Sequence, residues 1–142
     1  MSLADRIVVV LVEPQQPGNV GAAARAMKNM GLSRLVIVNP PAYDPERARW
    51  MAPGCDDMLA NMRIVGSLDE ALEGVQLAVA TTARHRRYDP RVLTSRELAH
   101  ELVELPEEHS AAILFGREDS GLDNEAVFRC GRIVRILSLI HI

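Results

Sequence analysis

Cys55 and Cys130 are the whole thiol complement of this chain. Two thiols so far apart exclude a disulfide framework and a cysteine-based zinc site, and they predict free, buried side chains in a reducing compartment. Positive charge is not in excess either. With a formal net charge of −3 the chain is no globally basic nucleic-acid binder, although a local basic patch is compatible with that balance. The only apolar run before Glu13 is Ile7 to Val12, too short for a signal-peptide core or a membrane span, so a cytoplasmic protein without a membrane partner is expected. Neither common glycine-rich phosphate-binding pattern occurs: Gly18 and Gly21 are separated by two residues, and no Gly-Lys-Ser/Thr follows. His85 alone supports no metal site, and no metal is expected. Residues 1–142 are long enough for one domain that buries roughly 70% of its unfolded surface.

What is present centres on Glu13 to Gly31, EPQQPGNVGAAARAMKNMG. Ile7 to Val12 (IVVVLV) reads as a strand buried on both faces. Pro14 and Pro17 end the ladder, Gly18 frees the backbone, and Asn19 is expected to cap a helix that the alanines from Ala22 to Ala26 propagate. Val20, Ala24 and Met27 form its core stripe. A helix N-terminus just past a strand's carboxyl end is where ligands bind in open α/β sheets. Arg25 adds a planar fork suited to phosphate, and Lys28 lies one turn on.

Gly31 is a C-cap signal, and Arg34 to Val38 is a second buried strand. The resulting β-α-β unit implies a right-handed parallel crossover, hence an α/β fold with a mostly parallel sheet and helices on both faces. Pro45 to Met51 is expected to be helical; Trp50 is read as a core or boundary residue ahead of the alternative, a stacking surface. Arg63 to Val65 is a third strand. Ser67 to Glu70 is a capping box opening a short helix, and Leu77 to Ala80 is a fourth strand that runs into Thr81, Thr82 and Ala83. The densest positive cluster follows, Arg84-His85-Arg86-Arg87-Tyr88, a loop suited to RNA phosphates and a stacked base. Thr94 to Glu97 is a second capping box, with Leu98, Leu102 and Val103 as the apolar face behind it. Ala111 to Phe115 is a fifth strand ending at the turn Gly116-Arg117-Glu118-Asp119-Ser120-Gly121. Asp123 or Asn124 caps the next helix, and Ile133 to Ile136 is a sixth strand.

Two motifs, PGNVGAAARAMKNMG and FGREDSGLDNE, with LAVATTARHR between them, resemble the SpoU-like branch of the SPOUT methyltransferases, most closely the TrmJ-type tRNA 2′-O-methyltransferases. The resemblance covers Ile7 to Ile136. It implies an α/β fold of the knotted SPOUT type, a homodimer, S-adenosylmethionine as cofactor, and transfer of a methyl group to a ribose 2′-hydroxyl in the tRNA anticodon loop. By the same resemblance Asn19, Arg25 and Glu118 are catalytic, while Thr81, Thr82, Ala83, Gly116 and Ile136 contact the cofactor. Arg25, Lys28, Arg84, Arg86 and Arg87 are the expected RNA contacts. A guanidinium is a poor proton acceptor, so Arg25 is expected to grip a phosphate, with that phosphate or Glu118 assisting proton removal.

The pattern departs at Leu137 to Ile142, LSLIHI: Ile140 stands where the family has the asparagine of Ser-Leu-Asn, and no long helix follows. This predicts an altered or missing knot segment, weak or absent cofactor binding, and a homodimer in doubt. Two rival readings remain open at this stage. One is a non-catalytic RNA-binding module, or inactive fragment, that keeps the basic loop. The other is a small-anion or nucleotide site built on the Asn19 and Gly116 turns.

Overall fold

A computed structural model describes residues 2–41, 43–83 and 89–136. In chain order the elements are β1 (Ile7–Val12), α1 (Pro17–Asn29), β2 (Arg34–Val38), α2 (Pro45–Trp50), α3 (Asp56–Asn61), β3 (Arg63–Val65) and α4 (Leu68–Ala71). They continue with β4 (Leu77–Thr82), β5 (Val92–Leu93), α5 (Ser95–Val103), β6 (Ala111–Phe115), α6 (Asn124–Phe128) and β7 (Arg132–Arg135). The strands make one sheet in the order β3-β2-β1-β6-β4-β7-β5, and every pairing is parallel.

Alternation along the strands separates two faces. Val9 and Leu11 pack with Val20, Ala24 and Met27 of α1, and Ile7 and Val79 pack with Leu98 and Leu102 of α5. Val8, Val10 and Leu114 point the other way, toward Ala71 of α4 and Ala126 and Val127 of α6. Val10 and Leu114 are completely inaccessible. Burying a side chain of that size stabilises a fold by about 1.5–3 kcal/mol. The α/β class, with a parallel sheet and helices on both faces, is as the sequence implies.

Several expectations need correction. The helix of motif one begins at Pro17, with Gln16 as its cap residue, so Asn19 is already helical and its side chain is free for another partner. Proline at the first helical position loses no needed N–H, which is why the start falls there. Trp50 is 73% exposed, outside the core and its boundary. Val103 is equally exposed, because the buried stripe of α5 runs through Leu98 and Leu102 and the next position turns about 100° away from it. The Thr94–Glu97 capping box is complete, whereas at Ser67 only half forms: its hydroxyl accepts from Glu70 N–H, and the Glu70 carboxylate bonds the hydroxyl rather than the backbone.

β5 was not expected, and β7 runs from Arg132 to Arg135, leaving Ile136 just past its end. A two-residue strand persists because Arg91 anchors it. Its guanidinium takes the Asp89 carboxylate on one side and the carbonyls of Val127 and Cys130, at the end of α6, on the other. Arg6 does similar work at the opposite edge: 9% exposed, it donates through Nη1 to the carbonyls of Pro106 and His109, fastening the start of β1 to the loop before β6.

Candidate active site

The sheet order decides what meets what. β1 and β6 are neighbours at its centre, in register from Ile7 opposite Ala111 to Leu11 opposite Phe115, so the turns after them lie side by side. There the Asn19 amide Nδ2 donates to Glu118 Oε1 at 3.0 Å, and the backbone N–H of Gln15 donates to Oε2 at 2.8 Å. Partial burial pushes the Glu118 carboxyl up. Hydrogen bonds from the Gln15 N–H, the Asn19 amide, and the N–H groups of Glu118 and Gln16 outweigh that and hold it below the usual glutamate range. Glu118 is therefore an ionised acceptor whose two oxygens are already engaged.

The motif-two turn is rigid for its own reasons. Arg117 and Gly121 exchange both backbone hydrogen bonds, at 3.2 and 2.8 Å, and Gly121 takes φ +72°. A Cβ on Gly116 would lie 2.1 Å from Gly121 C and Leu122 N. No side chain fits there, so this glycine is demanded by the turn itself. The Gln15 amide ties the turn to motif one: its oxygen accepts from Arg117 Nη2 at 2.8 Å and its nitrogen donates to Asp119 Oδ1 at 3.1 Å. Arg117 and Asp119 are also paired directly at 3.2 Å. Sequence reasoning missed Gln15, and no periodicity or motif marks it.

Arg25 is not part of this pair. Six residues beyond Asn19, about 9 Å along the axis, it is exposed and has no hydrogen bond or ion pair among the described residues. Lys28 is committed to the Gly54 carbonyl. Thr81, Thr82 and Ala83, Gly116 and Ile136 fall at the carboxyl ends of β4, β6 and β7, which are adjacent in the sheet. Ile136 N–H donates to the Thr82 carbonyl at 2.8 Å, and the Thr81 hydroxyl is spent on the Leu114 carbonyl at 2.7 Å. With Ile136 44% exposed beside Thr82, this edge presents an apolar side chain next to strand-end backbone, which suits a flat, weakly polar ring. Arg84, Arg86 and Arg87 lie outside the described residues, as do Leu137 to Ile142 and the expectations placed on them.

An opening lined by described residues lies elsewhere along the carboxyl edge. A cavity of about 360 Å³ sits past β1 and β2, between α4 and α6, walled by Glu13, Asn39, Ser67, Asp69 and Arg129. Glu13 and Asn39 have φ of +52° and +46°; each still donates its N–H to the next strand, to Val38 and Val65 at 2.8 Å, before the chain turns away.

The pairing of these two motifs at adjacent strand ends has a counterpart among known proteins: residues 6–139 match the SpoU rRNA methylase family. This chain belongs to that family. It is 46% identical over 137 residues to the tRNA (cytidine/uridine/adenosine-2′-O-)-methyltransferase TrmJ of Pseudomonas aeruginosa, covering 96% of this chain and 53% of the relative. The chain thus spans about half the length of such curated relatives. A probable methylase family protein from Haemophilus influenzae superposes with a TM-score of 0.88 at 36% identity, over 96% of this chain and 58% of the other. At 18% identity the SpoU methyltransferase AviRb from Streptomyces viridochromogenes, solved in complex with AdoMet, shares the fold with a TM-score of 0.62 over 94% of this chain and 49% of its own. Among the described residues no helix is long and apolar enough to cross a membrane, and no group of three or more His, Cys, Asp or Glu side chains could hold a metal.

Proposed function

We propose that this chain carries the methyl-transfer site of an S-adenosylmethionine-dependent enzyme that modifies a ribose 2′-hydroxyl of tRNA. The observation that carries this reading is the Asn19–Glu118 pair, formed where two family motifs meet over the central strands. When bound, S-adenosylmethionine supplies an electrophilic methyl group on sulfur. Thr81 to Ala83, Gly116 and Ile136 are the residues proposed to hold it.

What the chain must do is place the ribose oxygen in line and let it lose its proton. With Nδ2 given to Glu118, Asn19 presents its Oδ1 outward as an acceptor for a ribose hydroxyl. Glu118 fixes that orientation. With each oxygen accepting a hydrogen bond and its carboxyl held below the usual glutamate range, Glu118 is proposed as a positioning residue, and of the two proton-removal routes expected from sequence the one assisted by the RNA phosphate is preferred. Arg25, with no hydrogen bond or ion pair among the described residues, grips a phosphate of the RNA, and Arg84, Arg86 and Arg87 are the further residues proposed to contact RNA.

The test is to incubate the chain with S-adenosylmethionine and an unmodified tRNA transcript, then digest the RNA and look for a 2′-O-methylated nucleoside by mass spectrometry. Calorimetric titration with S-adenosylhomocysteine runs beside it. Methylated nucleoside with cofactor binding is the result this reading requires. Salt-sensitive tRNA binding with neither cofactor binding nor transfer would reject it in favour of a non-catalytic RNA-binding module.

A further inference from the structure

We propose that Trp50, with Arg47 and Arg49 on either side of it, is a stacking platform for an unpaired base of the substrate, beside the site at the start of α1. This rests on reading the substrate as RNA. Trp50 is the single tryptophan of the chain and is 73% exposed, with Met51 next to it 48% exposed. An indole left in water forgoes 150–250 Å² of apolar burial, so its position asks for a partner.

That position is tightly held. A Cβ on Gly21 would lie 2.1 Å from the Ala48 carbonyl oxygen and 3.0 Å from Met51 Cβ; one on Gly18 would lie 3.1 Å from Met51 Cγ. Backbone therefore packs directly on backbone at Gly21, and α2 lies against the first half of α1, which carries Asn19. The Lys28 ammonium fastens the following turn at the Gly54 carbonyl. Ala48 is wholly buried against α1. At about 100° per residue Trp50 then points away from α1, with Arg47 and Arg49 on its two flanks.

Charge selects the partner. Arg91, Arg117, Arg129 and Arg132 are all paired with carboxylates. Arg25, Arg47 and Arg49 are exposed and have no hydrogen bond or ion pair among the described residues. Of the nearby acids, Asp44 is engaged by Glu46 N–H at 3.0 Å as the cap of α2, and Glu46 stays exposed in its first turn. An exposed ring among unpaired guanidinium groups matches single-stranded RNA, which offers a base face and phosphates together. An apolar patch of Trp50 and Met51 interrupted by arginines is small for a protein or lipid partner.

Because Trp50 is the sole tryptophan, its emission reports the contact directly. The chain is titrated with an unmodified tRNA transcript while intrinsic fluorescence and the anisotropy of end-labelled tRNA are followed. Trp50 emission should be quenched along the same isotherm as the anisotropy. Trp50→Ala should weaken binding about tenfold with an unchanged melting temperature, and Trp50→Phe should recover most of the loss. Binding with unaltered emission, and with full affinity in Trp50→Ala, removes the platform while the RNA reading stands. No tRNA binding by the unmutated chain removes both. Emission that changes with protein concentration alone, together with a larger sedimenting species, assigns the surface to a second copy of the chain and overturns the proposal.

Discussion

Asn19 and Glu118 stand 99 positions apart in the chain and 3.0 Å apart in space, amide nitrogen to carboxylate oxygen. Each constrains the other: the carboxylate accepts only, so the amide must turn its NH₂ inward and its oxygen outward.

The first prediction concerns acid. A carboxyl held below its ordinary value adds stability that is present above the unfolded-state pKa, about 4.3 for glutamate, and is lost as pH falls through the lowered folded value. Glu118→Gln should lower the melting temperature at neutral pH and flatten its decline below about pH 4.3. Asn19→Asp should reverse the trend, because two carboxylates at this distance cannot both ionise comfortably. That variant should regain stability on mild acidification, as a thermal melt at several pH values will show.

Two glycines on α1 should behave oppositely. Gly21→Ala forces a methyl group into the Ala48 carbonyl, and backbone cannot step aside; a loss of about 1–3 kcal/mol is expected. Gly18→Ala meets only the flexible end of Met51 at 3.1 Å, while alanine gains up to about 1 kcal/mol in helix propensity. It should be neutral or stabilising. Urea unfolding midpoints of the two variants decide this.

Cys130 should be chemically silent in the folded protein. Burial raises its thiol to about 11, and the Sγ sits 3.4 Å from the Ala126 carbonyl. At pH 8 a thiol-reactive dye should label it only as fast as the protein unfolds. Rapid labelling under native conditions would show that α6 opens locally.

Arg25→Lys keeps the charge and loses the fork. If Arg25 grips a phosphate in bidentate fashion, this variant should bind tRNA several-fold more weakly and transfer methyl groups more slowly. Full turnover would leave only a point charge needed at that position.

Much of the fold was legible because its strands are short aliphatic runs and its helices carry explicit start signals. β1 reads as a doubly buried strand and is one; Thr94 and Glu97 read as a capping box and form one. β5 escaped because Val92 and Leu93 have no periodicity, and what makes them a strand is a guanidinium clamp to α6. Trp50 and Val103 were misplaced because apolar character does not say which way a helix faces when only one turn of it meets the core. At the site, Asn19 and Glu118 were legible as residue types in motifs. Their mutual bond, and the Gln15 amide that joins the two turns, depend on β1 lying beside β6, which no local pattern encodes.

The seating of Ile7 opposite Ala111 also governs how the protein comes into being. Until β6 is synthesised, β1 pairs on one side only, and the turn bearing Asn19 has no carboxylate to receive it. A nascent or clipped chain thus offers half a site and an apolar parallel edge open to other chains, a setting that favours slow assembly and aggregation. The Asn19–Glu118 pair and escape from that hazard arrive together, when the centre of the sheet closes.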